Sequence, residues 1–142
     1  MKVGCCDPEG NYYSCYSWFG HNGGLALISE KKNLSKKIIS ELVNDVMYHK
    51  VTEKLYAVST QKNVIYEIDP SNDWKVKRRY LKPQDPPDKQ VDYNSTSCIA
   101  YCTVDGYFYG RTATKQLFRF KLEDMVENIK SLDPLLYSHL TH

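Results

Sequence analysis

The most constraining feature of the sequence is a pattern of short alternating segments that occurs three times. In the middle of the chain, VMYHK, LYAVS and VIYEID alternate in character, and the turns VTEK and TQKN separate them. A fourth segment, WKVKRRYL, follows the break PSND. Alternation with short polar turns is typical of an antiparallel meander, because successive side chains of a strand point to opposite faces.

The same order of segments recurs on both sides of this central region. KVGCC, YYSCYS, LALIS and KIISEL precede it, and IAYCT, YFYGRT and QLFRFKL follow it. Tyr13, Tyr56 and Tyr109 then occupy equivalent positions, and a proline-containing segment explains the longer second interval. We therefore predict an all-β chain of three tandem four-stranded antiparallel repeats. The predicted single domain, 1–142, comprises repeats 2–42, 46–81 and 99–132 and a surface loop 82–98.

The third repeat ends differently from the other two. After an acidic start at Glu123 and Asp124, apolar residues recur at helical spacing. These residues are Met125, Val126, Ile129 and Leu132. The pattern predicts a short C-terminal helix, since acidic side chains favour a helix N-terminus. A distorted fourth strand is the alternative interpretation.

The central segment KLYAVSTQKNVIYEIDPSNDWKVKRRYL resembles a β-propeller blade, of the class that reads Leu-Tyr-Val, a polar turn, Val-x-Val-Ile-Asp and Val. The matching residues are Leu55, Tyr56, Val58, Val64, Tyr66, Ile68, Asp69 and Val76. This resemblance implies a propeller-like fold. Known propellers have about four to eight blades, so three blades leave an open ring with bare strand edges. Pairing of two chains removes those edges, and we therefore expect a homodimer.

The β-trefoil is the competing architecture. Trefoils also contain three four-stranded repeats, of about this length, in one compact chain, and TVDGYFYGRT is similar to their glycine-containing hairpin. The glutamine–tryptophan signature of ricin-type trefoil repeats is absent from the sequence. Chain length favours the trefoil and the local motif favours the propeller.

Composition narrows the class of protein. The 142 residues are 42% hydrophobic and 25% charged, as in ordinary globular domains, and the twelve tyrosines favour strands. A net charge of +2 gives no strong attraction to nucleic acid or to an anionic membrane, so neither is expected as a partner. No stretch approaches the roughly 18 apolar residues of a membrane span, and the N-terminus does not resemble a secretory signal. Five cysteines without a disulfide-framework spacing suit a reducing compartment, so we expect a cytoplasmic protein.

No motif in the sequence identifies a reaction or a cofactor. There is no P-loop, dinucleotide fingerprint, zinc-protease motif or nucleophile elbow. The cysteines and His21 or His49 are candidate ligands of a soft metal, but Cys98 and Cys102 lie in a strand pattern that spreads them apart. We predict that the cysteines are small buried hydrophobic residues and that the chain has no metal, cofactor or catalytic residue.

The segment WFGHNGG is the strongest candidate for ligand binding. Ten positions separate Cys15 from Leu25, so the loop is predicted to be longer than its counterparts. Aromatic rings, an imidazole and an amide beside three glycines suit recognition of a sugar or peptide. The candidate residues are Trp18, Phe19, His21 and Asn22. In the alternative interpretation the rings plug the domain end and Asn22-Gly23 forms the turn.

Two basic features carry alternative interpretations. Arg111 replaces an apolar residue, Val58, at an equivalent position, which indicates either a ligand contact or an internal ion pair. The run WKVKRRYLK is predicted to protect the exposed outer edge of a sheet, and phosphate binding is its alternative role.

Together these patterns predict a non-catalytic binding protein that recognises a glycan, a small molecule or a partner protein through inter-strand loops. Trp18, Phe19, His21, Asn22 and Arg111 are its predicted contacts. A small hydrolase or lyase with a loop-built site is one alternative. An interaction or inhibitory protein that acts by protein contacts is another.

Overall fold

The computed structural model describes residues 4–18, 22–62, 64–81 and 96–127. These residues form an all-β structure of three antiparallel sheets, which confirms the all-β part of the predicted fold. Among the described residues, no helix has the length and apolar character that crossing a membrane requires.

The first sheet contains the four strands of the first predicted repeat, in the order β1-β2-β3-β4. They are β1 (Gly4–Cys6), β2 (Tyr12–Trp18), β3 (Asn22–Ser29) and β4 (Leu34–Ile39). Each strand pairs only with its neighbours in sequence, so the sheet is a simple meander.

The second sheet contains the central repeat and one strand from much later in the chain. Its meander consists of β5 (Asp45–His49), β6 (Lys54–Ser59), β7 (Val64–Asp69) and β8 (Lys75–Leu81). The late strand, β12 (Met125–Glu127), pairs antiparallel with β8. The prediction that the basic strand forms an exposed sheet edge is therefore wrong at its second half, because β12 pairs with residues 79–81 of β8.

The third sheet has three described strands rather than the four predicted, in the order β11-β10-β9. They are β9 (Thr96–Cys102), β10 (Tyr107–Thr112) and β11 (Leu117–Phe120). The predicted loop 82–98 thus extends too far, because Thr96 already pairs with Thr112. Residues 82–95 lie outside the described residues.

The predicted C-terminal helix is wrong at its start. Leu122–Asp124 form one 3-10 turn, and Met125 and Val126 then belong to β12. Met125 is buried in the core between the second and third sheets, so tertiary pairing outweighs the local helical spacing. The remainder of the predicted helix lies outside the described residues.

The three sheets pack face against face, with the second sheet in the middle. Contacts between β1 and β5 and between β5 and β9 place the first strands of the meanders together. Two apolar cores result, one on each face of the middle sheet. Alternate residues of β6 divide between them, since Leu55 and Ala57 join the first core and Tyr56 and Val58 join the second.

The strand registers give the three tyrosines that the sequence predicts to be equivalent the same place in their sheets. Tyr13, Tyr56 and Tyr109 each lie on the second strand of a meander, opposite Cys5, Met47 and Ala100 of the first strand. The registers therefore align the three meanders residue by residue. Among the described strands, the sheets are three separate meanders rather than one closed barrel.

Candidate functional site

Of the four candidate residues in WFGHNGG, the structure describes only the backbone of Trp18 and of Asn22. Trp18 ends β2 and Asn22 begins β3, and their Cα atoms are paired. Phe19 and His21, and the side chains of Trp18 and Asn22, lie outside the described residues. The expected long loop is wrong, because Cys15 pairs directly with Leu25 and the two strands extend to residues 18 and 22.

Arg111 lies on an exposed face of the third sheet. It pairs with Leu117 as Val58 pairs with Ile65, which supports the predicted equivalence of Arg111 and Val58. Its guanidinium Nη2 lies 3.5 Å from Ser97 Oγ, and it forms no ion pair with a carboxylate of the described residues. The structure thus does not bring Arg111 into an internal ion pair there.

A concave site lies elsewhere, where turns of the first two sheets meet. This turn cleft has a volume of about 190 Å³. Its aromatic and charged lining comprises Asp7, Glu9, Lys32, Tyr48, Glu53 and Trp74. Four turns contribute to it, namely β1–β2, β3–β4, β5–β6 and β7–β8, so the cleft depends on how the two sheets pack.

The β1–β2 turn is built around the Asp7 carboxylate. The backbone N–H groups of Glu9 and Asn11 each donate to Asp7 Oδ1 at 3.0 Å, and Asn11 Nδ2 donates to Oδ2 at 2.8 Å. Gly10 adopts a φ of +85°, which a residue with a Cβ rarely takes. The segment DPEGN therefore closes as a side-chain-stabilised turn, with Asp7 buried and its position fixed.

A hydrogen-bonded chain joins this turn to the second sheet. Tyr13 OH donates to Asp7 Oδ2 at 2.8 Å, and Trp74 Nε1 donates to Tyr13 OH at 2.9 Å. Burial raises the pKa of Tyr13, although the bond from Trp74 opposes the shift. Because buried polar groups are costly to leave unpaired, this chain fixes the Trp74 indole relative to Asp7.

The backbone that carries Trp74 is strained. Asp69 accepts from Ser71 N at 3.0 Å and caps a 3-10 turn at Pro70–Asn72. Asp73 and Trp74 then follow with φ values of 51° and 54°. Two consecutive non-glycine residues in the left-handed region cost stability, and such strain often accompanies functional positions.

The cleft lining carries three carboxylates and one cation. Burial and then the charges of Glu53, Asp7 and Glu9 raise the pKa of Tyr48. The ammonium group of Lys32 lies 5.6 Å from the centroid of the Trp74 ring. The arrangement offers hydrogen-bond acceptors, one cation and two aromatic rings to a small ligand.

The histidine and cysteine candidates occupy other positions. His49 is buried among Tyr56, Tyr101 and Phe108, and its Nδ1 lies 2.8 Å from Thr52 Oγ1. Burial lowers the pKa of His49, and the buried imidazole is out of reach of a substrate. In the described part of the chain, no group of three or more histidine, cysteine or acidic residues is arranged to hold a metal.

The prediction that the cysteines are buried is wrong. Cys6 and Cys98 are exposed, and the other three are only partly buried. Cys5 and Cys15 do pack against the first core, where burial raises the pKa of Cys15 to about 12.

Sequence reasoning missed the residues of the turn cleft. Trp74 was assigned only to a basic strand, and Asp7 and Tyr48 were not considered as site residues. The available signal was the pair of turn motifs DPEGN and PSNDW, each rich in residues that bind their own backbone. Comparison with known proteins gives no further assignment, since no family model matches the chain and no curated protein is significantly similar to it.

Proposed function

We propose that this chain is a non-catalytic binding protein that takes a small hydroxylated ligand, such as one sugar residue of a glycan, in the turn cleft. The observation that carries the proposal is the chain of hydrogen bonds from Asp7 through Tyr13 to Trp74. It holds an aromatic platform rigidly beside a group of carboxylates, so little ordering is required when a ligand binds.

The lining matches the chemistry of a sugar ring. Glu9 and Glu53 offer carboxylate oxygens to hydroxyl donors, and Lys32 offers a donor to ring or hydroxyl oxygens. Tyr48 and Trp74 offer aromatic faces to the apolar C–H groups of the ring. At about 190 Å³ the cavity is smaller than pockets for drug-sized ligands, which have roughly 300–1,000 Å³. A ligand of about one ring fits that volume.

Two further predictions accompany this function. The three face-packed meanders, with their first strands together, support a propeller-like arrangement over a trefoil. The five free cysteines support a reducing compartment, so the cytoplasm remains the predicted location.

A glycan array followed by calorimetric titration of the bound sugars tests the proposed function. We expect Glu9→Gln and Glu53→Gln each to weaken binding about tenfold, because one charged hydrogen bond contributes roughly 1.4 kcal/mol. Glu123→Gln is the matched control, since Glu123 is exposed and is not part of the cleft lining.

Variants of the other predicted site distinguish the two locations. If Trp18→Ala and His21→Ala weaken binding while the cleft variants do not, the ligand binds at the 18–22 hairpin and the cleft assignment is wrong. If no sugar or other small polyhydroxylated compound binds, the proposed ligand class is wrong.

A further inference from the structure

One face of the first sheet and one face of the second sheet each point towards the sheet that follows in the chain. Tyr13 and Tyr56 lie on these faces, and Tyr109 is their equivalent on the third sheet. The second sheet covers Tyr13 and the third sheet covers Tyr56, and both rings are fully buried. The described chain provides no following sheet for Tyr109, which is 39% exposed.

The neighbours of Tyr109 are likewise exposed where their equivalents in the other sheets are buried. Leu117 is 81% exposed, whereas its equivalents Leu25 and Ile65 are completely buried beneath the next sheet. We call this surface the open face of the third sheet. Its main residues are Cys98, Cys102, Tyr109, Arg111, Leu117 and Arg119. The strand register thus places an exposed leucine and an exposed tyrosine at positions that are buried in the first two sheets.

The first sheet has the complementary exposure on its opposite side. Ile28 is 47% exposed there, whereas the equivalent residues Ile68 and Phe120 are buried against the preceding sheet. We call this surface the back face of the first sheet. Its main residues are Cys6, Tyr12, Ser14, Tyr16, Ala26 and Ile28. The described residues therefore include both halves of one more sheet-to-sheet contact.

We propose that the open face of the third sheet binds the back face of the first sheet of a second copy of this chain. Two copies make the contact twice around a two-fold axis and give a ring of six sheets, within the range of known propellers. The occupant is a second copy because its back face has the same register as the faces that cover Tyr13 and Tyr56.

The existing contacts predict which side chains meet across the new one. In the gap between the second and third sheets, the rings of His49 and Tyr101 are 4.3 Å apart. In the first gap their equivalents, Asp7 and Tyr48, both line the turn cleft. The equivalent of His49 on the open face is Cys102.

The equivalent of Tyr101 on the back face is Cys6. Cys102 of one copy therefore faces Cys6 of the other, at the position where His49 meets Tyr101 within the chain. Cys98 is also exposed on the open face, but it lies four residues along β9 from Cys102, too far to meet the same partner.

Matched lysine variants test the proposed contact by sedimentation. Leu117→Lys places a charge on the open face, Ile28→Lys places one on the back face, and Val104→Lys is the control at an exposed turn outside both faces. We expect each face variant to weaken self-association more than tenfold and the control to associate as the unmodified chain does. All three positions are exposed, so the variants are expected to fold.

Mixing the two face variants separates this arrangement from other dimers. Each variant alone has both contacts damaged, whereas the mixed dimer has one undamaged contact, so mixing is expected to restore part of the association. A dimer sensitive to only one variant indicates a contact between identical faces and overturns the proposal. A monomeric unmodified chain, or capture of a different protein by the open face in its place, also overturns it.

A short bifunctional thiol reagent tests the predicted residue pair. We expect a covalent dimer with a Cys6–Cys102 link, identified by peptide mass spectrometry. Cys6→Ser or Cys102→Ser is expected to abolish that link, and Cys98→Ser to leave it unchanged. Links between two Cys102 residues or through Cys98 alone contradict the proposed alignment.

Discussion

Each of the two gaps between neighbouring sheets contains a tyrosine, a glutamate and an arginine, but at different depths. In the first gap, Tyr66 OH donates to Glu41, and Arg78 Nη2 lies 2.5 Å from Glu41 Oε1. The Glu41 side chain is 27% exposed. This triad lies at the rim of its gap, where water screens the charges.

The triad of the second gap is buried. Tyr56 OH donates to Glu67 Oε2 at 3.0 Å, and Arg79 Nη2 donates to Glu67 Oε1 at 3.1 Å. The Glu67 side chain is 6% exposed, and Lys54 lies 3.7 Å from it. Burial alone raises the pKa of Glu67, but Arg79, Tyr56 and Lys54 together outweigh burial and the pKa is lowered. Burial also raises the pKa of Tyr56 to about 12.

The comparison shows that one sheet-packing geometry accommodates two kinds of gap. The first core is mostly aliphatic, and the Glu41 triad lies at its rim. The second core stacks aromatic rings around Phe108 and holds a histidine and a buried ion pair. Substitutions in the second gap are therefore expected to have the larger effects on stability.

Phe108→Ala is expected to have the largest effect. Phe108 is fully buried among the rings of His49, Tyr56, Tyr101 and Phe120. Its loss is expected to lower the free energy of unfolding by about 3–5 kcal/mol, measured by urea denaturation. The exposed control Val104→Ala is expected to change it by less than about 0.5 kcal/mol. Similar losses in the two variants break the assignment of the second core.

The paired substitutions Glu67→Gln and Glu41→Gln compare the triads directly. Glu67→Gln replaces the buried carboxylate partner of Arg79 with a neutral amide and is expected to cost about 1.5–3 kcal/mol of unfolding free energy. Glu41→Gln acts on a partly exposed pair and is expected to cost about 0.2–1 kcal/mol. Denaturant titration at neutral pH measures both, and equal losses contradict the difference in depth.

Removal of one hydroxyl group tests the hydrogen bonds that link Asp7, Tyr13 and Trp74. Tyr13→Phe takes away the acceptor of Trp74 Nε1 and one donor to Asp7, and is expected to cost about 1 kcal/mol of unfolding free energy. Val104→Ala, at an exposed turn outside both proposed faces, is the control, and its unfolding free energy is expected to be nearly unchanged. If the control loses stability and Tyr13→Phe does not, the hydrogen bonds of Tyr13 with Asp7 and Trp74 do not stabilise the first gap.

The smallest effect is a dependence of stability on pH through His49. Burial lowers the pKa of His49 in the folded protein. As pH falls, His49 is therefore protonated in the unfolded chain before it is protonated in the folded protein. Stability from neutral His49 is then fully present above the ordinary histidine pKa of about 6.5 and is lost as pH falls. Unfolding free energies of wild type and His49→Gln, measured between neutral and mildly acidic pH, are expected to diverge. Parallel curves contradict a buried neutral histidine.

The sequence patterns predicted the meanders because each strand is encoded locally. Alternation, polar turns and the recurring tyrosines identify nearly all of the strands, and β6 is apolar on both faces because it lies between two cores. The short strand β12 was predicted only as the alternative to a helix, because its three residues pair with β8, far away in the chain, while their spacing is helical.

The turn cleft was harder to predict than the strands. DPEGN and PSNDW are recognisable as turns, but their meeting depends on the packing of the first sheet against the second. The exposure of Cys6, Cys98 and Leu117 has the same origin, since a strand pattern does not reveal which face of a sheet is covered.

The central claim is that the face of each sheet that carries Tyr13, Tyr56 or Tyr109 is covered by another sheet. For Tyr109 that sheet belongs to a second copy of the chain. Sedimentation equilibrium of the unmodified chain, over a range of micromolar concentrations, tests it most directly. We predict a mass twice that of one chain, falling towards one chain on dilution. A folded protein with the mass of a single chain at every concentration contradicts the claim, and leaves Tyr109 and Leu117 as an exposed surface of a monomer.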